Sequence, residues 1–188
     1  MPFDPAANLA LIGLRCSGKS TVGPRVAAEL ATDFVDLDNI TAAELGFSTA
    51  GDALRALGEA SFRAGELHAL VKTLHRPSRV IAFGGGTPMT RDAMDVILHE
   101  RNAGRLAIVY LRASVPVLVA RMTDGGTHTR PSLTGLPLAD EVAALFEDRD
   151  EIYSHIAHRV IEIDRLAPEH AAVAIASWFQ ANQAPKPA

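Results

Sequence analysis

The chain contains 188 residues, of which 48% are apolar, and carries a formal net charge of -4 at pH 7. This length allows one domain with a substantial core, and the apolar fraction excludes general disorder. The acidic balance argues against a general nucleic-acid binder, and the single cysteine, Cys16, excludes a disulfide framework and a cysteine-based zinc site.

Five short apolar runs alternate with longer segments of helical periodicity. The runs lack the polar alternation of half-exposed strands, so they indicate strands buried on both faces of a parallel sheet. They cover residues 9–14, 34–37, 80–83, 106–111 and 160–163. The predicted helices cover 19–31, 48–57, 59–75, 91–103, 114–122, 138–158 and 168–181. This order predicts a single three-layer α/β domain, ordered from 8 to 181 with a disordered tail at 182–188.

A glycine-rich loop joins the first predicted strand to the first predicted helix. Residues 13–20, GLRCSGKS, match the P-loop pattern G-x-x-x-x-G-K-[ST] in full. The glycines let successive N–H groups point inward, and the helix N-terminus adds free amides, so the loop favours the phosphates of ATP. We expect nucleotide contacts from Gly13, Arg15, Cys16, Ser17, Gly18, Lys19, Ser20 and Thr21. Lys19 would reach the β- and γ-phosphates and Ser20 would bind Mg²⁺, whereas Cys16 is interpreted as a small filler.

Two aspartates flank Leu37 at the end of the second predicted strand. In an extended chain, a spacing of two residues puts both carboxylates on one side, near the P-loop. The third apolar run ends in glycines and offers no aspartate, so Asp36 is the predicted Mg²⁺ ligand beside Ser20, directly or through water. Asp38 would face the acceptor and take its hydroxyl proton.

A long aperiodic segment precedes the sixth predicted helix. Residues 123–137, TDGGTHTRPSLTGLP, contain three glycines and two prolines. Loops of this length are usually functional or disordered. We predict that this segment is a mobile lid that carries Arg130.

The chain resembles the shikimate kinases in a series of short motifs from residue 9 to about 164. Besides the P-loop, these are FVDLD at 34–38, Gly58-Glu59, Phe62-Arg63 with Glu66, FGGG at 83–86, Arg130-Pro131, and Arg149 with Tyr153. Each is weak alone, but together behind a P-loop they are specific. The resemblance implies the nucleoside-monophosphate-kinase type of P-loop fold, with a five-stranded parallel sheet, a lid and a substrate-binding helical region at about 39–75.

The resemblance also implies a reaction and residue roles. The γ-phosphoryl of MgATP would pass to the 3-hydroxyl of shikimate, in the pathway to chorismate and the aromatic amino acids. By family analogy, Asp38 holds substrate hydroxyls and acts as base, Arg63 and Arg149 clamp the carboxylate, and Arg130 bridges the transferred phosphate and the substrate. Backbone is presented to the ring by Gly84, Gly85 and Gly86. The arginine at the adenine cannot be aligned, and the two candidates are Arg121 and Arg165.

Two other functions stay open at this stage. A gluconate-type sugar-acid kinase shares the P-loop frame, although Phe62-Arg63 and the triple glycine argue against it. A non-catalytic ligand-sensing domain is disfavoured by the intact Lys19, Ser20 and Asp38. We expect ATP and a small hydroxy acid as partners, Mg²⁺ as cofactor, no nucleic acid or membrane, and a cytoplasmic monomer without a signal peptide.

Overall fold

Five parallel strands form the centre of the computed structural model, which describes residues 2–124 and 136–185. In chain order they are β1 (Asn8–Ile12), β2 (Asp33–Asp36), β3 (Arg79–Ala82), β4 (Leu106–Arg112) and β5 (Arg159–Glu162). They pair in the order β2-β3-β1-β4-β5, and every pairing is parallel. Each strand coincides with one of the five apolar runs, so the predicted sheet is confirmed.

The central strands are buried on both faces. All five residues of β1 and the first six of β4 are buried. Leu9 of β1 pairs with Val80 on one side and with Ala107 on the other. Because β1 has a neighbour on each side, the loop that follows it emerges at the middle of the carboxyl edge of the sheet, where open α/β folds bind ligands.

Seven α-helices surround the sheet within the described ranges. They are α1 (Lys19–Glu29), α2 (Leu37–Glu44), α3 (Ala50–Leu74), α4 (Arg91–Asn102), α5 (Val115–Asp124), α6 (Leu138–Ile156) and α7 (Pro168–Ala181). A short 3₁₀ helix at Thr87–Met89 follows the glycines at 84–86. Helix α1 packs against α7, α2 against α3, and α5 against α6. Among the described residues, we find no helix whose length and hydropathy would let it cross a bilayer.

Two helical features differ from the sequence-based expectation. Helix α2 was not among the helices predicted from periodicity, although the resemblance implied a helical region at about 39–75, and its first residues were assigned to the end of the second strand. The two helices expected at 48–57 and 59–75 form one element, α3, which is interrupted at Gly58 (φ 76°, ψ 167°). This left-handed backbone suits glycine, so Gly58 produces the predicted break as a kink rather than as a loop.

The two ends of the described chain pair with each other. The N–H of Phe3 donates to the carbonyl of Asn182 (2.8 Å), and the N–H of Ala184 donates to the carbonyl of Phe3 (2.7 Å). Phe3 is 5% exposed, and its ring packs edge-on to Trp178 with centroids 5.6 Å apart. The prediction of a disordered tail is therefore wrong for residues 182–185. Residues 186–188 lie outside the described part of the chain.

Candidate active site

The P-loop wraps around the end of β1 in a conformation that requires its glycines. Gly13 (φ 146°) and Gly18 (φ 94°) have positive φ, and a Cβ on Gly13 would lie 2.7 Å from both the carbonyl of Leu111 and the hydroxyl of Ser17. Nζ of Lys19 donates to the carbonyls of Gly13 (2.8 Å) and Leu14 (2.9 Å). The ammonium is thus held against the loop, where bound phosphates would meet it.

A cavity of about 500 Å³ opens beside this loop. Residues 15–22 line one side, and the start of α2 contributes Asp36 and Asp38. Arg121 and Ile163 also line it. Cys16 also lines the cavity, and its φ is positive at 62°. Its interpretation as a small filler stays a prediction.

Ser20 and Asp36 meet in the lining of the cavity. The Ser20 hydroxyl donates to Oδ2 of Asp36 over 2.8 Å. The other oxygen of Asp36, Oδ1, accepts from the N–H of Asp38 (3.1 Å) and so caps α2. The expectation that Asp38 continues an extended strand is wrong, because this cap starts a helix at Leu37. Both carboxylates nevertheless line the same cavity, since a helix start and a strand end share this edge.

The hydroxyl of Ser20 and the carboxylate of Asp36 are oxygen ligands of the kind that a hard cation binds. Mg²⁺ commonly binds one or two protein oxygens and takes its remaining ligands from phosphates and water. Across the described ranges, no group of three or more His, Cys, Asp or Glu side chains forms a preassembled metal centre. The donor set therefore fits Mg²⁺ that arrives with a nucleotide.

The three consecutive glycines after β3 each face a different charged side chain. A Cβ on Gly84 would lie within 3.0 Å of Oδ1 of Asp38, and a Cβ on Gly86 would lie 2.8 Å from Nη1 of Arg63. At Gly85, a Cβ would lie 3.6 Å from Nη1 of Arg149. A side chain at Gly84 or Gly86 would therefore displace Asp38 or Arg63, whereas Arg149 lies at an ordinary van der Waals distance from Gly85.

Arg63 is held by a buried carboxylate. Its Nη1 donates to Oε2 of Glu66 (2.8 Å), and the hydroxyl of Thr87 donates to the other oxygen, Oε1 (2.7 Å). Glu66 is 2% exposed, whereas Glu59, which also approaches Arg63 at 3.7 Å, is 77% exposed. No role was predicted for Glu66 or Thr87, although Glu66 belongs to one of the motifs quoted above. The three-residue spacing of Arg63 and Glu66 on a helix was the available signal.

Arg149 and Tyr153 reach the same carbonyl from α6. Nη1 of Arg149 donates to the carbonyl of Gly85 (2.7 Å), and the Tyr153 hydroxyl donates to it as well. Burial raises the pKa of Tyr153, which therefore stays protonated and remains a donor. Gly85 also lines the cavity, so these two α6 side chains stand at its border.

The two adenine candidates occupy different positions. Arg121 lines the cavity, where Nη1 donates to the carbonyl of Cys16 (3.3 Å) and Nη2 to the carbonyl of Ile163 (3.4 Å). Arg165 is exposed and does not line the cavity. The geometry therefore favours Arg121.

The predicted lid falls largely outside the described residues. Residues 125–135, which include Arg130, are not described, so the lid and the role of Arg130 stay predictions. Thr123 and Asp124 belong to the last turn of α5, which extends two residues beyond its predicted end.

A parallel sheet in this order, with a P-loop after its central strand and paired carboxylates at its carboxyl edge, defines the chain as a P-loop kinase. The model of the family "Shikimate kinase" matches residues 15–180. Shikimate kinase 2 of Escherichia coli O81 (strain ED1a) is 40% identical over 159 residues, which cover 82% of this chain and 85% of that protein. The chain therefore belongs to the shikimate kinase family.

Solved structures agree with this assignment. The shikimate kinase from Acinetobacter baumannii in complex with shikimate has a TM-score of 0.84 and 27% identity, and the match covers 97% of this chain and 98% of that chain. The shikimate kinase from Aquifex aeolicus has a TM-score of 0.72 and 28% identity, with 93% and 97% coverage. The resemblance stated from the sequence motifs is confirmed at the level of fold and family.

Proposed function

We propose that this protein transfers the γ-phosphoryl group of MgATP to the 3-hydroxyl of shikimate, which yields shikimate 3-phosphate and ADP for chorismate and aromatic amino-acid biosynthesis. The observation that carries this proposal is the turn at 84–86, around which Asp38, Arg63 and Arg149 converge beside the P-loop. One carboxylate and two guanidinium groups match a polyol acid, whose hydroxyls need an acceptor and whose carboxylate needs cationic forks. A related enzyme bound to shikimate supports the same choice.

The nucleotide would occupy the cavity beside the P-loop. Its phosphates would meet the loop amides and the N-terminus of α1, and Nζ of Lys19 would leave its carbonyl partners for the β- and γ-phosphates. Arg121 is the proposed adenine contact, because it lines this cavity whereas Arg165 does not.

Ser20 and Asp36 are the proposed Mg²⁺ site. Their oxygens touch at 2.8 Å, so both can approach one ion directly or through water. When bound, Mg²⁺ neutralises charge on the β- and γ-phosphates.

Asp38 is the proposed base of the transfer. As the acceptor oxygen bonds to the γ-phosphorus, its proton would move to the Asp38 carboxylate, and the bond to the ADP oxygen would break. Arg63 and Arg149 would hold the acceptor carboxylate, so that the hydroxyl stays in line with the phosphorus. Arg130, in the segment 123–137 proposed as a lid, would neutralise charge on the transferred group and exclude water.

An ADP-release assay with shikimate, with gluconate and with buffer alone tests the function. The proposal requires ADP release that depends on shikimate. Turnover with gluconate alone supports a sugar-acid kinase, and tight shikimate binding without turnover supports a ligand-sensing domain.

The cellular setting is a separate proposal. We propose a cytoplasmic monomer, in keeping with the single, half-buried cysteine and the acidic composition. Light scattering after size exclusion tests the monomeric state. We expect a mass near 20.0 kDa, and twice that mass would contradict a monomer.

A further inference from the structure

A three-donor contact fixes one carboxylate of α6 to the end of β4. Arg112 donates twice to Asp150, from Nε to Oδ1 (2.7 Å) and from Nη2 to Oδ2 (2.8 Å). The hydroxyl of Tyr110 donates to the same Oδ1 (2.8 Å). Paired parallel hydrogen bonds between guanidinium and carboxylate set orientation as well as distance. Arg112 accordingly holds the pKa of Asp150 below its usual range, and the carboxylate stays charged.

Arg112 is itself held in place from two other directions. Its Nη1 donates to Oε1 of Glu162 on β5 (3.0 Å). Its guanidinium lies over the ring of Phe146, with Cζ 5.3 Å from the ring centroid. Phe146 precedes Asp150 by one helical turn, so Arg112 contacts two successive turns of α6. The side chain ties α6 to both β4 and β5.

The neighbour of Asp150 on α6 is Arg149, which projects from a different side of the helix. Successive helical residues are rotated by about 100°, so the direction of Asp150 determines that of Arg149. Arg149 reaches the Gly85 carbonyl, and Tyr153 on the next turn reaches it too. The ring of Tyr153 packs edge-on to Tyr110 at 5.1 Å. A rotation of α6 that moves Arg149 off Gly85 must therefore break the contacts of Asp150.

We propose that Asp150, through its ion pair with Arg112, is a positioning residue that aims Arg149 at the acceptor site. This inference rests on the proposed function in one respect, namely that Arg149 binds the acceptor carboxylate. The other side-chain hydrogen bonds described for this ion pair run to Tyr110 and Glu162, which belong to β4 and β5 rather than to the P-loop. Loss of the ion pair should consequently affect the acceptor and spare the nucleotide.

The first test compares Asp150→Asn with Glu162→Gln. Asp150→Asn keeps the size of the side chain but loses its charge, and we expect the KM for shikimate to rise about tenfold while the KM for ATP changes by less than about twofold. Glu162→Gln removes the other, 62% exposed partner of Arg112 and should leave both KM values unchanged. A parallel rise of both KM values after Asp150→Asn would overturn the proposal.

A double substitution separates positioning from general support of the fold. In an Arg149→Ala background, Asp150→Asn should add no further increase in the KM for shikimate, because the proposed route through the Arg149 side chain has been removed. If the two substitutions instead raise the KM for shikimate independently, so that their factors multiply in the double variant, the proposal is contradicted. If Asp150→Asn does not fold, Arg112→Lys decides, since it keeps the charge but loses the planar fork. For Arg112→Lys we expect a rise in the KM for shikimate of less than about tenfold, with the KM for ATP unchanged. If the KM for shikimate stays the same, the inference is overturned.

Crystal structures of the variants give a readout that does not depend on activity. Arg149 should leave the Gly85 carbonyl in Asp150→Asn and keep this contact in Glu162→Gln. A retained contact in Asp150→Asn refutes the positioning role whatever the enzyme phosphorylates. Lack of shikimate turnover by the unsubstituted chain would instead refute the proposed function.

Discussion

Arg63 and Glu66 form an ion pair of 2.8 Å in which the arginine is 24% exposed and the carboxylate 2% exposed. The Thr87 hydroxyl satisfies the second oxygen of Glu66, so the carboxylate is fully engaged where water cannot replace a lost partner. Arg63 is thereby held against Gly86, on the turn that we propose as the acceptor site.

Glu66→Gln should weaken acceptor binding more than nucleotide binding. A hydrogen bond to a charged group contributes roughly 1.5–3 kcal/mol, so we expect the KM for shikimate to rise about tenfold or more and the melting temperature to fall. Initial rates against each substrate measure the split. Glu59→Gln is the matched control, because Glu59 approaches the same arginine from solvent. Equal effects of the two substitutions would contradict the role of Glu66.

Gly84→Ala should damage catalysis by displacing Asp38. The added methyl group would lie within 3.0 Å of the Asp38 carboxylate and 3.0 Å from Oε1 of Glu66. Because small displacements of reacting groups are costly, kcat should fall about a hundredfold while ADP affinity is retained. Gly51→Ala, whose methyl group would meet neighbours only at 3.8 Å and beyond, should keep normal rates. Near-normal turnover of Gly84→Ala would count against Asp38 as the base.

Asp36→Asn should raise the Mg²⁺ concentration required for half-maximal activity. The amide keeps an oxygen that can cap α2 but loses the charge beside Ser20, so we expect an increase of about tenfold. Titration of activity with Mg²⁺ at saturating ATP gives the measurement. Asp33→Asn alters the other, exposed end of the same strand and should have no effect. An unchanged Mg²⁺ requirement in Asp36→Asn would remove this residue from the metal site.

His158 should make the fold sensitive to mild acid. Its Nδ1 accepts a hydrogen bond from the N–H of Ile108 (3.1 Å), and its ring lies edge-on to Phe3 at 4.9 Å. Partial burial of the imidazole, with the nearby charge of Arg101, lowers the pKa of His158 from its usual value near 6.5 to about 4. The unfolded chain therefore binds the proton first, and stability should fall as the pH drops from 6.5 towards 4.

Thermal unfolding between pH 7.5 and 4.5 measures this effect. His158→Asn can keep an acceptor near the Ile108 amide without titrating, so its melting temperature should depend less on pH than that of the unsubstituted chain. His99→Asn changes a histidine whose side chain is 74% exposed and should leave the pH dependence intact. Identical pH profiles for His158→Asn and the unsubstituted chain would refute this assignment.

Much of the fold was predictable, because five short apolar runs alternate with longer segments of helical periodicity, and this order is typical of a parallel α/β sheet. The P-loop could also be predicted, since its glycines, lysine and hydroxyl lie in one contiguous stretch of the sequence. Helix α2 was missed because Asp36-Leu37-Asp38 fits a strand end as well as a helix cap, and only the contact between the Asp36 side chain and the Asp38 amide decides. Local spacing could not distinguish these two outcomes.

The side chains that support the site were harder to predict from the sequence than the fold was. Glu66 carries a charge that sequence patterns assign to the surface, and only the packing of α3 against the turn at 84–86 buries it. The pair of Arg112 and Asp150 joins residues 38 positions apart. The paired tail at 182–185 likewise depends on a partner at the opposite end of the chain, Phe3. Contacts of this kind follow from the assembled sheet and have no local signature.

A crystal structure of the protein with ADP, Mg²⁺ and shikimate tests the proposed arrangement of nucleotide and acceptor most directly. We expect the diphosphate in the P-loop against Lys19 and the shikimate carboxylate at Arg63 and Arg149. We also expect a shikimate hydroxyl to bind Asp38 and to face the outer phosphate. Shikimate bound away from the turn at 84–86, or Asp38 turned from the nucleotide into bulk solvent, would contradict this arrangement.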